Sequence, residues 1–142
     1  MADVKVIWKE GIHFEGIADE HTVHMDGRPE AGGENRGISP MRLLLIALGG
    51  CTGMDVISIL KKMRQDVTHF EIELAGPRAS EHPRVYTQIE IVYRLRGRNL
   101  ARDMVEKAVR LSEEKYCSAG AMLKQAAPII TRIEIEEETT QR

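Results

Sequence analysis

Apolar and polar residues alternate along three short segments at the start of the chain, as they do in β-strands. Residues 4–8 follow this alternation first, and residues 13–18 and 22–26 repeat it. Polar or glycine-containing pairs separate the segments, which therefore predict a small antiparallel meander. Glycine and proline interrupt all periodicity over residues 27–38, so we expect a loop there.

A helix signal begins at Ser39, which can act as the N-cap, and at Pro40, which lacks an N–H that the first helical position does not need. The predicted helix continues to Arg64. Leucine and isoleucine occur on every side of its wheel over residues 43–48. A helix that is apolar all round is buried, so we expect this one to be covered on all sides.

Two glycines of this helix, Gly49 and Gly53, are one turn apart and leave a smooth strip on its surface. Such a strip lets a second helix approach closely. Two thin sheets from one chain of 142 residues could hardly cover the helix on every side. We therefore expect an intertwined homodimer, in which the two long helices pack together and the sheets wrap around both.

Three strands and two helices are predicted after the long helix. Alternation predicts the strands, and apolar spacing after an asparagine cap predicts the longer helix. One wet and one dry face indicate an antiparallel sheet that helices cover on one side. The element order is typical of a single α+β domain over residues 1–142, whose tail from residue 138 we expect to fray. The strands are expected at 68–75, 84–96 and 129–137, and the helices at 99–115 and 119–127.

Charge and length narrow the possible functions. The 142 residues suit one domain, and a net charge of −2 offers no basic stripe to a phosphate backbone, so we expect no nucleic-acid partner. The N-terminus lacks a signal-peptide pattern, which predicts a cytoplasmic protein with reduced cysteines. Residues 43–60 have the length of a membrane span, but Asp55 and three glycines favour a helix that is buried in the protein. We therefore expect no membrane partner.

Cys51 and Cys117 are the only cysteines of the chain. One interpretation makes both of them small buried hydrophobic residues. The other makes them a redox pair: Cys51 follows two glycines that could leave its sulfur facing a cavity, and Cys117 lies near a helix start that favours a thiolate. In a peroxide-reducing cycle, one thiolate becomes a sulfenic acid and the other condenses with it to a disulfide. Spacing alone does not establish that the two sulfurs meet.

A reactive thiolate needs positive charge nearby, and three arginines lie before Cys51 in the sequence. Arg36 is the preferred candidate, and Arg28 and Arg42 are further ones; the alternative for Arg36 is a solvated loop residue. Asp55 lies one turn after Cys51, where it either orients a cation or a thiol proton, or belongs to an ion pair or a helix-dimer contact. The histidines lack metal-ligand spacing, so we expect no metal site.

Two motifs together resemble the OsmC/Ohr family of thiol-dependent peroxidases. The first extends from Ser39 through Cys51 to Val56, and the second, Glu-Lys-Tyr-Cys-Ser, occupies residues 114–118. The resemblance covers essentially the full chain and is greatest to the YhfA-like branch. It implies an OsmC-like fold, with antiparallel sheets wrapped around long central helices in an intertwined homodimer that has two sites at its interface.

The resemblance also implies roles for the cysteines. Cys51 matches the peroxidatic cysteine of the family and Cys117 the resolving one. Members of the hydroperoxide-resistance type reduce organic hydroperoxides and are recycled by dithiols of the lipoyl kind, so we expect an external dithiol reductant and no bound cofactor. This chain departs from the pattern at Met41, where characterised peroxidases have a glutamate that holds an arginine against the reactive thiol.

Three hypotheses about function follow. The first is a cysteine-dependent peroxidase that reduces organic or hydrogen peroxides through a Cys51 sulfenic acid resolved by Cys117. The second is a non-catalytic dimeric domain that binds a small apolar ligand at the same interface. The third is a redox sensor whose oxidation alters a partner contact. Reaction of the thiols with an added hydroperoxide separates the second hypothesis from the other two.

Overall fold

A computed structural model of the chain describes residues 2–139. Contacts between Cα atoms divide it into two compact units: an N-terminal unit that ends at Leu44 and a C-terminal unit that begins at Leu45. The strands and helices follow one another in the predicted order, so the α+β class is confirmed. Of the tail that was expected to fray, residues 140–142 lie outside the described residues.

The N-terminal unit contains the predicted meander. Its strands β1 (Lys5–Glu10), β2 (His13–Ala18) and β3 (His21–Met25) pair antiparallel in that order. Gly11 has a φ of 55°, and it makes the β1–β2 turn in a left-handed conformation that residues with a side chain rarely adopt. Alternation and turn residues were therefore sufficient to predict this sheet.

The loop after β3 is organised around one carboxylate. Buried Asp26 accepts hydrogen bonds from the backbone N–H groups of Gly27, Glu34 and Arg36, at 2.7, 3.2 and 3.0 Å. These bonds, chiefly the one from Arg36, hold the pKa of the Asp26 carboxyl below its ordinary value. The predicted loop is present, and it has a fixed internal structure.

A three-stranded sheet forms the base of the C-terminal unit. Its strands are β4 (Asp66–Ala75), β5 (Ile89–Arg98) and β6 (Ile129–Glu137), with β5 in the middle. β5 pairs antiparallel with β4 but parallel with β6, so the expectation of a purely antiparallel sheet is wrong for the second pair. A parallel neighbour needs a long crossover, and the helical segments between β5 and β6 supply it.

Helices account for most of the remaining C-terminal unit. The long helix α1 begins at Pro40, and the backbone carbonyl of Ser39 accepts its first helical hydrogen bond from the N–H of Leu43, which confirms the predicted start. Three helical segments then follow one another between β5 and β6. They are α2 (Arg102–Leu111), a single π-helical turn (Ser112–Tyr116) and α3 (Ser118–Leu123), while α1 spans Pro40–Lys62.

The core of this unit lies between the helices and one face of the sheet. Alternate residues of β5 are buried, as its sequence pattern predicted. Burial of each large aliphatic side chain contributes about 1.5–3 kcal/mol, so this layer is the main source of stability. On these three elements, the buried apolar residues are Leu48, Val56 and Leu60 of α1, Ile89, Ile91, Tyr93 and Leu95 of β5, and Val105, Ala108 and Val109 of α2.

The prediction that α1 is covered on every side is wrong for the single chain. One face is buried, whereas Ile46 and Met54 on the opposite face are 52% and 74% exposed. The glycine strip also faces inward, because a Cβ on Gly49 or Gly53 would meet Leu74 or Ile72 of β4. The strip therefore lets the sheet of the same chain approach the helix closely.

By length and composition alone, α1 could also cross a membrane.

Several element boundaries differ from those predicted. The helices α1, α2 and α3 end at Lys62, Leu111 and Leu123, earlier than the predicted residues 64, 115 and 127. Two further differences lie at the ends of β5. Strand β5 begins at Ile89 and not at residue 84, because the preceding residues make only an isolated bridge between Arg78 and Tyr86. Asn99 does not cap α2: it has a φ of 53°, and its N–H donates to the carboxylate of Glu137. Local propensity was overridden in both places by the way the chain turns at the ends of β5.

Gly97→Ala should destabilise the C-terminal unit, because an added Cβ would lie 2.3 Å from the backbone oxygen of Asp66 and 2.8 Å from the Leu100 side chain. Overpacking of this kind costs about 1–3 kcal/mol of unfolding free energy. Urea denaturation followed by circular dichroism measures the change. The matched control is Arg98→Ala, which removes only an exposed ion pair worth about 0–1 kcal/mol. Equal stability of the two variants would contradict the expectation.

Candidate functional site

The two cysteines are brought together inside the C-terminal unit. Cys51 lies in α1 and is half-buried, and Cys117 lies directly after the π-helical turn and is buried. The two thiols lie near enough for Cys51 to raise the pKa of the Cys117 thiol, and both are free. The proximity that spacing left open is thus produced by packing α1 against the segment that joins α2 to α3.

Cys117 is held at the start of α3 by two hydrogen bonds. Its backbone N–H donates to the carbonyl of Ser112 at 2.8 Å, and its sulfur accepts from the N–H of Gly120 at 3.3 Å. The predicted effect of the helix start is present, because the Gly120 N–H lowers the pKa of the thiol. Burial outweighs it and, with the adjacent Cys51 and Asp55, raises that pKa to about 11. Cys117 is therefore a thiol at neutral pH.

Asp55 lies one turn after Cys51 and does not belong to an ion pair among residues 2–139. Its Oδ2 accepts a hydrogen bond of 3.0 Å from the Ser112 hydroxyl. The carboxylate is also near enough to Cys117 to raise the pKa of its thiol. The role of Asp55 in orienting a thiol proton stays a prediction.

A chain of hydrogen-bonded hydroxyl groups continues inward from Asp55. Ser112 Oγ lies 2.8 Å from Thr52 Oγ1, and Thr52 Oγ1 lies 2.9 Å from Tyr93 Oη. Tyr93 in turn donates to Glu113 Oε2 at 2.8 Å. Burial, more than any other cause, raises the pKa of Tyr93, so its hydroxyl keeps its proton. All three hydroxyl-bearing residues are buried.

Sequence reasoning missed this chain of hydroxyls. Thr52 lies beside Cys51 in a helix that reads as apolar, and Tyr93 shares a strand face with isoleucine and leucine. The available signal was the position of each polar atom on a face predicted to be dry. A buried hydroxyl without a partner costs about 1–3 kcal/mol, so two such residues on facing elements predict a contact between them.

A cavity of about 180 Å³ opens beside Cys117. Leu48, Ile91 and Ile129 supply apolar walls, while Glu113 and Lys124 supply charges of opposite sign. This space lies within the C-terminal unit and is lined by Cys117, a residue that is itself buried. Among residues 2–139 there is no group of three or more His, Cys, Asp or Glu side chains that could hold a metal ion.

The predicted cations belong to the N-terminal unit. Arg36 forms ion pairs with the carboxylates of Glu10 and Glu34, and these pairs, chiefly that with Glu10, raise the pKa of its guanidinium group. Arg28 precedes a short 3-10 turn, and Arg42 is exposed in the first turn of α1. A thiolate-activating role for any of the three stays a prediction.

Alkylation should distinguish the two thiols. At about pH 7.5 we expect iodoacetamide to modify Cys51 before Cys117, because Cys117 is buried and its pKa is raised to about 11. The rate at Cys117 should rise by roughly tenfold per pH unit below that value, since only the thiolate reacts. Mass spectrometry of quenched samples measures both rates, and Cys51→Ser isolates that of Cys117. Equal reactivity at about pH 7.5 would contradict this assignment.

Comparison with known proteins relates this site to a family. The OsmC-like protein family model matches residues 32–132. Protein YhfA of Escherichia coli strain K12 is 42% identical over 132 residues, which are 92% of this chain and 96% of that protein.

Two solved structures extend the comparison. A hypothetical protein of Aquifex aeolicus VF5 has a TM-score of 0.86 at 34% identity, covering 98% of both chains. An organic hydroperoxide resistance protein OsmC of Legionella pneumophila shares the fold alone, with a TM-score of 0.67 at 11% identity over 92% of this chain and 94% of its own. The family match includes both cysteines, and the chain belongs to the OsmC-like family.

Proposed function

We propose that this protein is a cysteine-dependent peroxidase that reduces organic or hydrogen peroxides. The observation that carries the proposal is the proximity of the Cys51 and Cys117 thiols, which is close enough for Cys51 to raise the pKa of Cys117. Two neighbouring cysteines that can be joined as a disulfide are what a two-cysteine peroxide cycle requires. Structural relatives that are named organic hydroperoxide resistance proteins support the same chemistry.

The proposed cycle has three steps. The Cys51 thiolate attacks the terminal peroxide oxygen, the O–O bond breaks, and the products are a Cys51 sulfenic acid and an alcohol, or water from hydrogen peroxide. Cys117 then displaces hydroxide from the Cys51 sulfur, which yields the disulfide and water. An external dithiol finally reduces the disulfide to two thiols and is itself oxidised to a disulfide.

Burial favours this division of roles. Cys51 is half-buried, so a peroxide can reach it, whereas Cys117 is 4% exposed and its raised pKa keeps it protonated until the sulfenic acid has formed. A resolving thiol of this kind is protected from the oxidant by the same burial. In the cytoplasm, where we expect the protein, a dithiol of the lipoyl class would restore both thiols without a bound cofactor.

The proposal includes an intertwined homodimer. Ile46, Gly50 and Met54 are exposed at successive turns of α1, and a side chain added at Gly50 would meet nothing within 4 Å. Together with the exposed Ala47, they form an apolar stripe on the face opposite the sheet. The stripe suits the packing of a second copy of α1, which would also cover the face that was predicted to be buried.

A second candidate function rests on the cavity beside Cys117. Its apolar walls and its charges of opposite sign suit a small ligand. In addition, Met41 replaces the activating glutamate expected from the family resemblance. A protein of this kind would bind an apolar molecule, or report its own oxidation to a partner, without turnover. Peroxide reactivity and turnover together separate these possibilities from the proposed enzyme.

Cumene hydroperoxide should convert both thiols of the wild type to an intramolecular disulfide within seconds to minutes, because the two thiols lie close to each other. Thiol titration and the intact mass measure the conversion. Turnover with dihydrolipoamide then distinguishes an enzyme from a sensor. Cys51→Ser should abolish turnover, and Cys117→Ser should stop at a sulfenic acid that dimedone traps. Unreacted wild-type thiols, or full turnover by Cys51→Ser, would refute the proposal.

Met54→Glu should convert the homodimer to a monomer, because it introduces a charge into the centre of the apolar stripe. Light scattering after size-exclusion chromatography should then give the chain mass of 16.0 kDa, in place of twice that value for the wild type. The matched control is Met122→Glu, since Met122 is 75% exposed and Met54 74% exposed. A wild type of 16.0 kDa would contradict the dimer without affecting the thiol chemistry.

A further inference from the structure

The buried hydroxyl groups form one continuous chain between two carboxylates. From Asp55 it passes through Ser112, Thr52 and Tyr93 to Glu113, over contacts of 3.0, 2.8, 2.9 and 2.8 Å. We call these five residues the hydroxyl chain. They lie on α1, the π-helical turn and β5, so that three separate elements supply one unbroken path.

The two ends of the hydroxyl chain differ in how many hydrogen-bond donors hold their carboxylates. Glu113 also accepts hydrogen bonds from Thr131, at 2.9 and 2.7 Å to its two oxygens, so its carboxylate is held by two hydroxyl donors. Asp55 has only the Ser112 hydroxyl as a hydrogen-bond donor among residues 2–139. Asp55 also lies one turn from Cys51, and its charge raises the pKa of the Cys117 thiol. Glu113 shares a cavity with Cys117 but is already held by two hydroxyl donors, so Asp55 is the carboxylate with acceptor capacity left for a proton from the thiols.

Counting hydrogens shows that the chain is incomplete when both carboxylates are ionised. Each hydroxyl has one proton to donate. Ser112 gives its proton to Asp55 and Tyr93 gives its proton to Glu113, so Thr52 must serve two contacts with one proton. One contact between hydroxyl oxygens, at 2.8 or 2.9 Å, then has no hydrogen in it. One additional proton, entering at either carboxylate, completes every contact.

The proposed function supplies such a proton. Cys117 is a thiol at neutral pH, because burial raises its pKa to about 11, and it must lose its proton to attack the Cys51 sulfenic acid. The hydroxide that leaves Cys51 needs a proton a moment later. A group that accepts the first proton and returns the second lowers the barrier to both events.

We propose that the hydroxyl chain is a proton relay for disulfide formation, with Asp55 as its entrance, and the inference rests on the proposed peroxidase function. The Cys117 proton passes to Asp55 as the sulfur electron pair of Cys117 forms the S–S bond. The S–O bond of Cys51 breaks, and the departing hydroxide recovers the proton as water. Cys117 sulfur is oxidised and Cys51 sulfur is reduced, so that atoms, protons and electrons balance.

Thr52 is the residue that this relay depends on, because its proton can point to either neighbour. In Thr52→Val the remaining Ser112–Asp55 contact already has its hydrogen, so an extra proton on Asp55 completes no further contact, while side-chain shape is kept. In Tyr93→Phe the chain ends at Thr52. The two remaining contacts, Asp55–Ser112 and Ser112–Thr52, already have one proton each, so an extra proton again completes no further contact. Thr52→Ser retains the hydroxyl. Thr52, Ser112 and Tyr93 are thus positioning residues that act through Asp55.

The test follows the two phases of thiol oxidation separately after mixing with cumene hydroperoxide. Dimedone trapping measures sulfenic acid formation at Cys51, and the intact mass measures the disulfide. We expect Thr52→Val and Tyr93→Phe to form sulfenic acid at the wild-type rate and the disulfide about 10- to 100-fold more slowly. Thr52→Ser should restore the second phase to within about threefold of wild type. The control Thr68→Val removes a hydroxyl on β4 that bonds the Arg96 carbonyl, and both phases should be unchanged.

Solvent deuterium supplies a readout that a structural defect would not change. In mixtures of light and heavy water, the second phase of the wild type and of Thr52→Ser should fall along a curve, since several protons move together. For Thr52→Val the dependence should be linear. A wild-type second phase in Thr52→Val, or a Thr52→Ser as slow as Thr52→Val, would overturn the relay while the peroxidase stands. Absence of any oxidation in the wild type would overturn both.

Discussion

Close packing of α1 on strand β4 is the contact from which the rest of the site follows. Gly49 and Gly53 leave no side chain where the helix meets Leu74 and Ile72, so the helix axis approaches the sheet within the reach of short side chains. Thr52, between the two glycines, can therefore reach the hydroxyl of Tyr93 on the middle strand. Cys51 and Asp55 are carried on the same helix, one turn apart, toward the segment that contains the other thiol.

The π-helical turn provides the second constraint. One wider turn at Ser112–Tyr116 directs Ser112 and Glu113 inward and ends α2 before Cys117, whose sulfur then caps the short helix α3. Single π-helical turns often occur at functional sites, where they change the direction of a side chain. Here the turn supplies both the partner of Asp55 and the anchor of Tyr93. Sites that depend on such a turn tolerate few changes in its length.

Electrostatics within the site favour protonated groups. Burial raises the pKa values of Cys117 and Tyr93, and Asp55 adds to the effect at Cys117. In the proposed cycle, the raised pKa of Cys117 keeps this thiol protonated until Cys51 has been oxidised. Positive charge is supplied differently: Arg36 pairs with two glutamates of its own unit, whereas Lys124 lines the cavity beside Cys117. At Cys117, desolvation is therefore the main influence on the pKa of the thiol.

The sequence by itself determined the elements whose signals are local. Alternation and turns predicted the meander and the buried face of β5, and Ser39 with Pro40 predicted where α1 begins. The residue types at 51, 55 and 117 also led to the proposed chemistry. Tertiary structure alone decided that the glycine strip meets β4, that β6 runs parallel to β5, and that Thr52 and Tyr93 share a hydrogen bond. Those outcomes depend on which faces come together across long separations, and periodicity along one segment carries no information about its partner.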